Sequence, residues 1–107
     1  MIRKMQKEII ISIPFDRSNA ALDLHTLFTA LPAIFREYVC EECNWSSPTF
    51  YRKIKKKDTA DPNNPNRVIS AISKAEKAKI IEIGIHLFEK ARMHIAQYEA
   101  NRTTNNN

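Results

Sequence analysis

The spacing of apolar positions changes along the chain, and each change predicts a different element. Glu8 to Ile13 (EIIISI) is rich in β-branched residues and bounded by Pro14, so it reads as a short strand. Ile2, Met5 and Ile9 also recur at helical spacing, which leaves a helix open there. Pro14 pushes Ile13 toward an extended backbone in either case. From Asn19 to Thr29 the period becomes helical, with Leu22, Leu24, Leu27, Phe28 and Leu31 on the buried side and Asp16 or Ser18 as the cap. His25 lies among these as a packed or surface residue rather than a ligand. Leu31-Pro32 is expected to break the chain direction and open a further helix. Ala33, Ile34, Phe35, Tyr38 and Val39 make that helix apolar on more than one side, as suits the centre of a core.

The stretch Arg36 to Lys57 (REYVCEECNWSSPTFYRKIKKK) predicts two helices and a tight turn. Asn44 tolerates the left-handed conformation that ends a helix. Ser47-Pro48 offers a capping hydroxyl and a proline at the first helical position. One helix should therefore stop near Cys43 and another start near Ser47. Val39, Cys40 and Cys43 supply the buried side of the first, with Cys40 small where the helices meet. Trp45 drops into the angle between them, and Phe50 and Ile54, four apart, face the core. Ser46, Ser47, Thr49, Tyr51, Arg52, Lys55 and Lys56 stay exposed on the second helix.

Within this stretch, Ser47-Pro48-Thr49-Phe50-Tyr51-Arg52 resembles the start of the recognition helix in TetR-type repressors and resolvase/invertase recombinases. Placing Asn44 on the usual turn Gly puts Cys40 on the usual small residue, and Trp45 and Phe50 on apolar positions. The turn has Asn where those families have Gly, and Trp45 is larger than their Val or Ile. The resemblance is confined to the motif. It implies a helix-turn-helix that binds DNA, and it implies no recombinase chemistry.

Beyond the motif, Asp58 to Arg67 (DTADPNNPNR) is dense in Pro, Asn and Asp and predicts a loop without regular structure. Its place after the second helix matches the wing of a winged helix, from which Arg67 would reach a phosphate or the minor groove. A plain connector is the other reading. Val68 to Ile72 is a candidate strand, paired with Glu8–Ile13 in a two-stranded ribbon. Ser73-x-x-Glu76 is a capping box opening the longest helix, Lys74 to Ala100. Ala78, Ile81, Ile85, Phe88, Ala91 and Ile95 form its main stripe. Ile80, Ile83, Leu87 and Met93 widen the apolar surface beyond the needs of one small core, which makes this helix a candidate dimer interface. Gly84 in mid-helix would be explained by close approach of another backbone, or by simple tolerance. Residues 1–7 read as loose, and 101–107 (NRTTNNN) as a disordered tail.

Composition narrows the function. The 107 residues suit one domain, residues 1–100, with a single Gly favouring helix over a β-sandwich. No 18-residue apolar run exists, and the N-terminal stretch fails as a secretory signal, so a cytoplasmic protein is expected. The net charge is +5 and is unevenly placed: residues 1–50 carry 5 − 6 = −1, and residues 51–107 carry 12 − 6 = +6. Five cations fall between Arg52 and Lys57. A basic cluster on a candidate reading helix is the footprint of a nucleic-acid partner.

Other chemistry is set aside. Cys40-x-x-Cys43 lacks the further ligands of a zinc site, since His25, His86 and His94 show no paired spacing. At a helix end the pair is also poorly placed for a thiolate, so core packing is the better reading. Glu37, Glu41 and Glu42 have no accompanying base, nucleophile or metal set, and there is no phosphate-binding Gly-rich loop. No enzyme, cofactor, metal site or small-molecule ligand is evident.

The expected fold is therefore mainly α: a helix-turn-helix (36–57), a short ribbon and a long C-terminal helix (74–100). The expected function is sequence-specific duplex DNA binding by a homodimer, as a transcriptional regulator or a mobile-element accessory factor. Ser47, Thr49, Tyr51 and Arg52 would contact bases or the groove, and Lys53, Lys55, Lys56 and Lys57 would contact phosphates. The alternative is a protein-interaction module that dimerises through its C-terminal helix and binds an acidic partner. RNA binding by the same surface is a further rival, although single-strand readers display their aromatics on a sheet.

Overall fold

The computed structural model describes residues 8–104, with side chains to 99. Helix α1 spans Ala20–Cys43, α2 spans Ser47–Lys55, and α3 spans Lys74–Thr104. Between α2 and α3 lies an antiparallel hairpin of β1 (Thr59–Asp61) and β2 (Asn64–Ile69). The fold is mainly helical, with a two-stranded ribbon and a long last helix, as the apolar spacing predicts. No helix among the described residues is long and apolar enough to cross a membrane. Residues 1–7, expected from sequence to be loose, lie outside the described residues.

The break expected at Pro32 does not occur. α1 is continuous through Pro32, and Asn19 caps it, its Oδ1 accepting the N–H groups of Ala21 and Leu22. A proline inside a helix costs about 3 kcal/mol through its missing donor and ring clash. Here its ring faces solvent, while Leu27 before it and Val39 after it are both fully buried. Burial on both sides of the proline offsets the local cost, because both halves of the helix contribute to the interior. Leu22 and Phe28, expected on the buried side, are about half exposed instead (50% and 54%), and His25 is exposed.

Residues 8–13 form no strand. Burial nevertheless alternates along them, with Ile9 buried, Ile11 and Ile13 half-buried, and their neighbours exposed. The segment is a strap rather than a sheet edge, and side chains from α1 and α3 bond its backbone near each end. The Ile10 N–H donates to the Tyr38 hydroxyl (3.1 Å), and His94 Nε2 donates to the Ile13 carbonyl (2.7 Å). An ion pair of Lys90 with Glu8 (2.8 Å) adds to the attachment. Val68 and Ile69, the expected partners, pair instead with Ala60 and Thr59.

The segment expected to be an irregular loop is that hairpin. Asp61-Pro62-Asn63-Asn64 makes the turn, with proline presetting the backbone and Asp61 Oδ1 accepting the Asn63 N–H at 2.9 Å. Pro65 brings no donor, and the register shifts between Ala60 and Asp61 where the strand passes it. At the open end, Asp58 Oδ1 accepts the Ala71 N–H at 2.8 Å and closes the base.

The core gathers Ile9 from the strap, Val39 from α1, Phe50 from α2, and Ile83 and Leu87 from α3. The capping box is formed: Ser73 Oγ accepts the Glu76 N–H (3.1 Å), and Glu76 Oε1 accepts the Ser73 N–H (3.0 Å). α3, however, turns a different face inward from the one expected. Ile83, Leu87 and Ala91 are buried, while Ile81, Ile85, Phe88 and Met93 are about 50–70% exposed. The polar ends of the inner face set this rotation. Glu76 accepts the Trp45 indole N–H (3.1 Å), and Lys79 Nζ donates to the Glu42 carbonyl (3.0 Å). Positions 76, 79, 83, 87, 90, 94 and 98 share one side of a helix, so these bonds carry Ile83 and Leu87 inward with them. Among the described residues nothing beyond its own helical turns approaches Gly84: a Cβ there would meet no such atom within 4 Å. α3 runs past Ala100 to Thr104, so the expected tail begins as helix, and residues 105–107 lie outside the described residues.

Candidate nucleic-acid interface

The turn between α1 and α2 is three residues, Asn44 to Ser46. Asn44 takes the left-handed conformation (φ 57°, ψ 46°), and the N–H groups of Asn44 and Trp45 both donate to the Cys40 carbonyl. The cap of α2 is Ser46 rather than Ser47. Its Oγ accepts the Thr49 N–H at 3.3 Å and donates to Thr49 Oγ1 at 3.0 Å. Pro48 falls within the first helical turn, where its lack of an N–H removes nothing.

The expected site residues divide into two sets. Ser47, Arg52, Lys55, Lys56 and Lys57 are exposed, and none of the ion pairs among the described residues involves the four cations. Thr49, Tyr51 and Lys53 are engaged in the fold. Thr49 is half-buried and tied to the cap. The Tyr51 hydroxyl accepts from Arg36 Nη1 at 2.8 Å, its ring meets Phe50 edge-on at 5.5 Å, and the Arg36 guanidinium lies 5.7 Å from its centroid. Lys53 is half-buried, with its ammonium 5.8 Å from the Trp45 ring. Arg36 is the residue that sequence reasoning missed. It presents no spacing signal, because its partner lies on another helix.

Ile54 corrects the expected core. Phe50 is 7% exposed and Ile54 is 58% exposed, although the two are four residues apart. α2 ends at Lys55, so no further turn of helix stands beyond Ile54 to shelter it. The hairpin that follows is exposed along almost its whole length, including Arg67 on β2. The basic helix and the hairpin are thus consecutive, solvent-facing elements.

The Glu76 carboxylate near the turn is held in structural bonds. The Ser73 backbone N–H, and then the Trp45 indole, keep the Glu76 carboxyl below its ordinary pKa. Burial, and then the Glu76 charge, pushes the Cys43 thiol up, which leaves it protonated and unreactive. Cys40 and Cys43 are free and half-buried, with the Cys40 thiol directed at the Ser46 carbonyl at 3.8 Å. No group of three or more metal-ligating side chains occurs among the described residues. No protein-family model matches the chain, and neither a curated protein nor a solved structure matches it.

Proposed function

We propose that this chain binds duplex DNA through α2, with the hairpin beside it as a wing, and that it acts as a homodimeric transcriptional regulator or mobile-element accessory factor. The observation that carries the reading is the charge left uncompensated on α2 and its C-terminal end. Arg52, Lys55, Lys56 and Lys57 all face solvent outside any ion pair among the described residues. Four adjacent cations repel one another, and a polyanion relieves that repulsion by releasing counterions as it binds. The short, tightly capped turn fixes how α2 is presented, and Arg36 braces Tyr51 at its surface.

Homodimerisation is supported by the outer face of α3. Ile81, Ile85 and Phe88 are 53%, 49% and 69% exposed, and they recur at the alternating four-and-three spacing of a helix–helix seam. A two-fold dimer would place two reading helices on half-sites about one helical turn apart.

The test is selection from a random duplex library at two salt concentrations, with wild type and Arg52→Ala. A palindromic site enriched by wild type and lost by the variant is the expected result. If Arg52 contacts a base bidentately, the substitution costs about 1–3 kcal/mol of binding. Salt-sensitive retention without enrichment would reduce the function to non-specific DNA association. No retention at either salt would overturn the reading in favour of a protein-interaction module.

A further inference from the structure

We infer that the hollow beneath α2 is a binding site for a small amphipathic carboxylate, and that its occupancy opposes DNA binding. The hollow measures about 380 Å³ and lies between α1, α2, the hairpin base and the start of α3. This is within the size range of small-molecule sites, about 300–1,000 Å³, which are apolar clefts with a few convergent polar groups. Trp45, Phe50 and Ile54 line one part of it, and Phe35, Ile72 and Ile80 another.

Charge decides which ligand fits. Lys53, Lys56 and Lys77 also line the hollow, with Asp58 as its one carboxylate. Asp58 is already engaged, since its Oδ1 accepts the Ala71 N–H at 2.8 Å. Three lysines line the hollow against Asp58, and Glu76, bonded to the Trp45 indole, lies at its edge, so positive charge stays in excess beside an apolar wall. A ligand with an apolar body and an anionic head satisfies both, whereas a neutral apolar molecule satisfies only the wall.

Ile54 provides a second, independent argument. It is apolar, sits one helical turn after the buried Phe50, and is left 58% exposed where it lines the hollow. An apolar body seated there would cover it. Lys53 and Lys56 also belong to the basic run that would meet phosphate. A bound carboxylate would draw their charge inward and weaken the attraction for DNA. This coupling rests on the DNA-binding reading above, whereas the site itself does not.

Trp45 is the single tryptophan of the chain and lines the hollow, so its fluorescence reports occupancy directly. The probes are decanoate, below its micelle concentration, and decanol as the uncharged comparator. The expected result is a saturable change in Trp45 emission with decanoate and much weaker binding of decanol. Lys56→Met and Lys77→Met keep the apolar stems and should each weaken decanoate about two- to five-fold, with decanol unchanged, as partly solvated ion pairs do. Ala71→Phe, which fills the hollow, should abolish the change while far-UV circular dichroism stays that of wild type. A linear, unsaturable response to decanoate would overturn the site, and equal affinity for decanol would overturn its preference for an anion. In a parallel DNA titration, saturating decanoate should lower affinity; unchanged affinity would overturn the coupling alone. If the chain retains no DNA at all, the functional reading fails, and the Trp45 titration still decides whether the site exists.

Discussion

The two ends of the α1–α3 pair use charge in opposite ways. At the end where α1 begins, Asp23 is 4% exposed, and its carboxylate accepts the N–H groups of Asp16 (3.1 Å) and Arg17 (3.0 Å) and the Tyr98 hydroxyl. Phe15 packs on His94 and Tyr98, and the Arg17 guanidinium lies 5.0 Å from the Tyr98 ring centroid. The Asp23 carboxylate and the Tyr98 hydroxyl there are both bound within the fold. At the other end, Arg52, Lys55, Lys56 and Lys57 project outside any ion pair among the described residues. Charge that the fold consumes marks structure, and charge that the fold leaves over points to a partner.

The largest separation of the two ends is expected from a fourfold variant, Arg52, Lys55, Lys56 and Lys57 all to Ala. Its DNA affinity should collapse and the salt slope flatten by about four, one per cation lost. Each surface change alters stability by no more than about 0.5 kcal/mol, so urea unfolding should shift by less than about 2 kcal/mol in total. Unchanged DNA affinity would show that these four cations are not the DNA contact.

The converse variant is Leu27→Ala, at a fully buried position near the strap end. It should cost about 2–5 kcal/mol in urea unfolding, with DNA affinity of the folded protein unchanged. A selective loss of DNA binding would mean that the two ends are not independent.

pH gives a finer test. The Tyr98 hydroxyl bond, above all, and then the backbone N–H groups of Arg17 and Asp16, hold the Asp23 carboxyl below its ordinary pKa, against the opposing effect of burial. Its contribution to stability is therefore complete above the unfolded aspartate value, about 3.9, and is lost as pH falls through the lower folded value. Tyr98 is pushed up to about 12, by burial first and the Asp23 bond next. Its contribution is complete below about pH 10 and is lost as pH rises from there through 12. Tyr98→Phe should flatten both the acid and the alkaline limbs of a melting-temperature profile. A profile parallel to wild type would remove the Asp23–Tyr98 bond from the account.

The smallest effect sharpens the picture of α3. Gly84→Ala should stabilise the monomer by about 1 kcal/mol, since a Cβ there meets nothing within 4 Å. If the same change weakens self-association in sedimentation equilibrium, a second backbone lies close to Gly84 in the dimer.

Much of the local structure was legible from residue chemistry. The left-handed Asn44, the helix boundaries at Cys43 and Ser47, and the Ser73–Glu76 box each depend on groups a few residues apart. The exposure of Arg52, Lys55, Lys56 and Lys57 followed from their charge, which water solvates better than any interior. Tertiary structure decided the rest. Burial on either side of Pro32 kept α1 continuous, and Tyr38 and His94 satisfied a strap that would otherwise need a sheet partner. Glu76 and Lys79 chose which of two apolar stripes on α3 faces inward, and Arg36 fixed Tyr51. In each case the deciding partner is distant in sequence. Spacing along one element reports its own periodicity and says nothing about what another element brings to meet it.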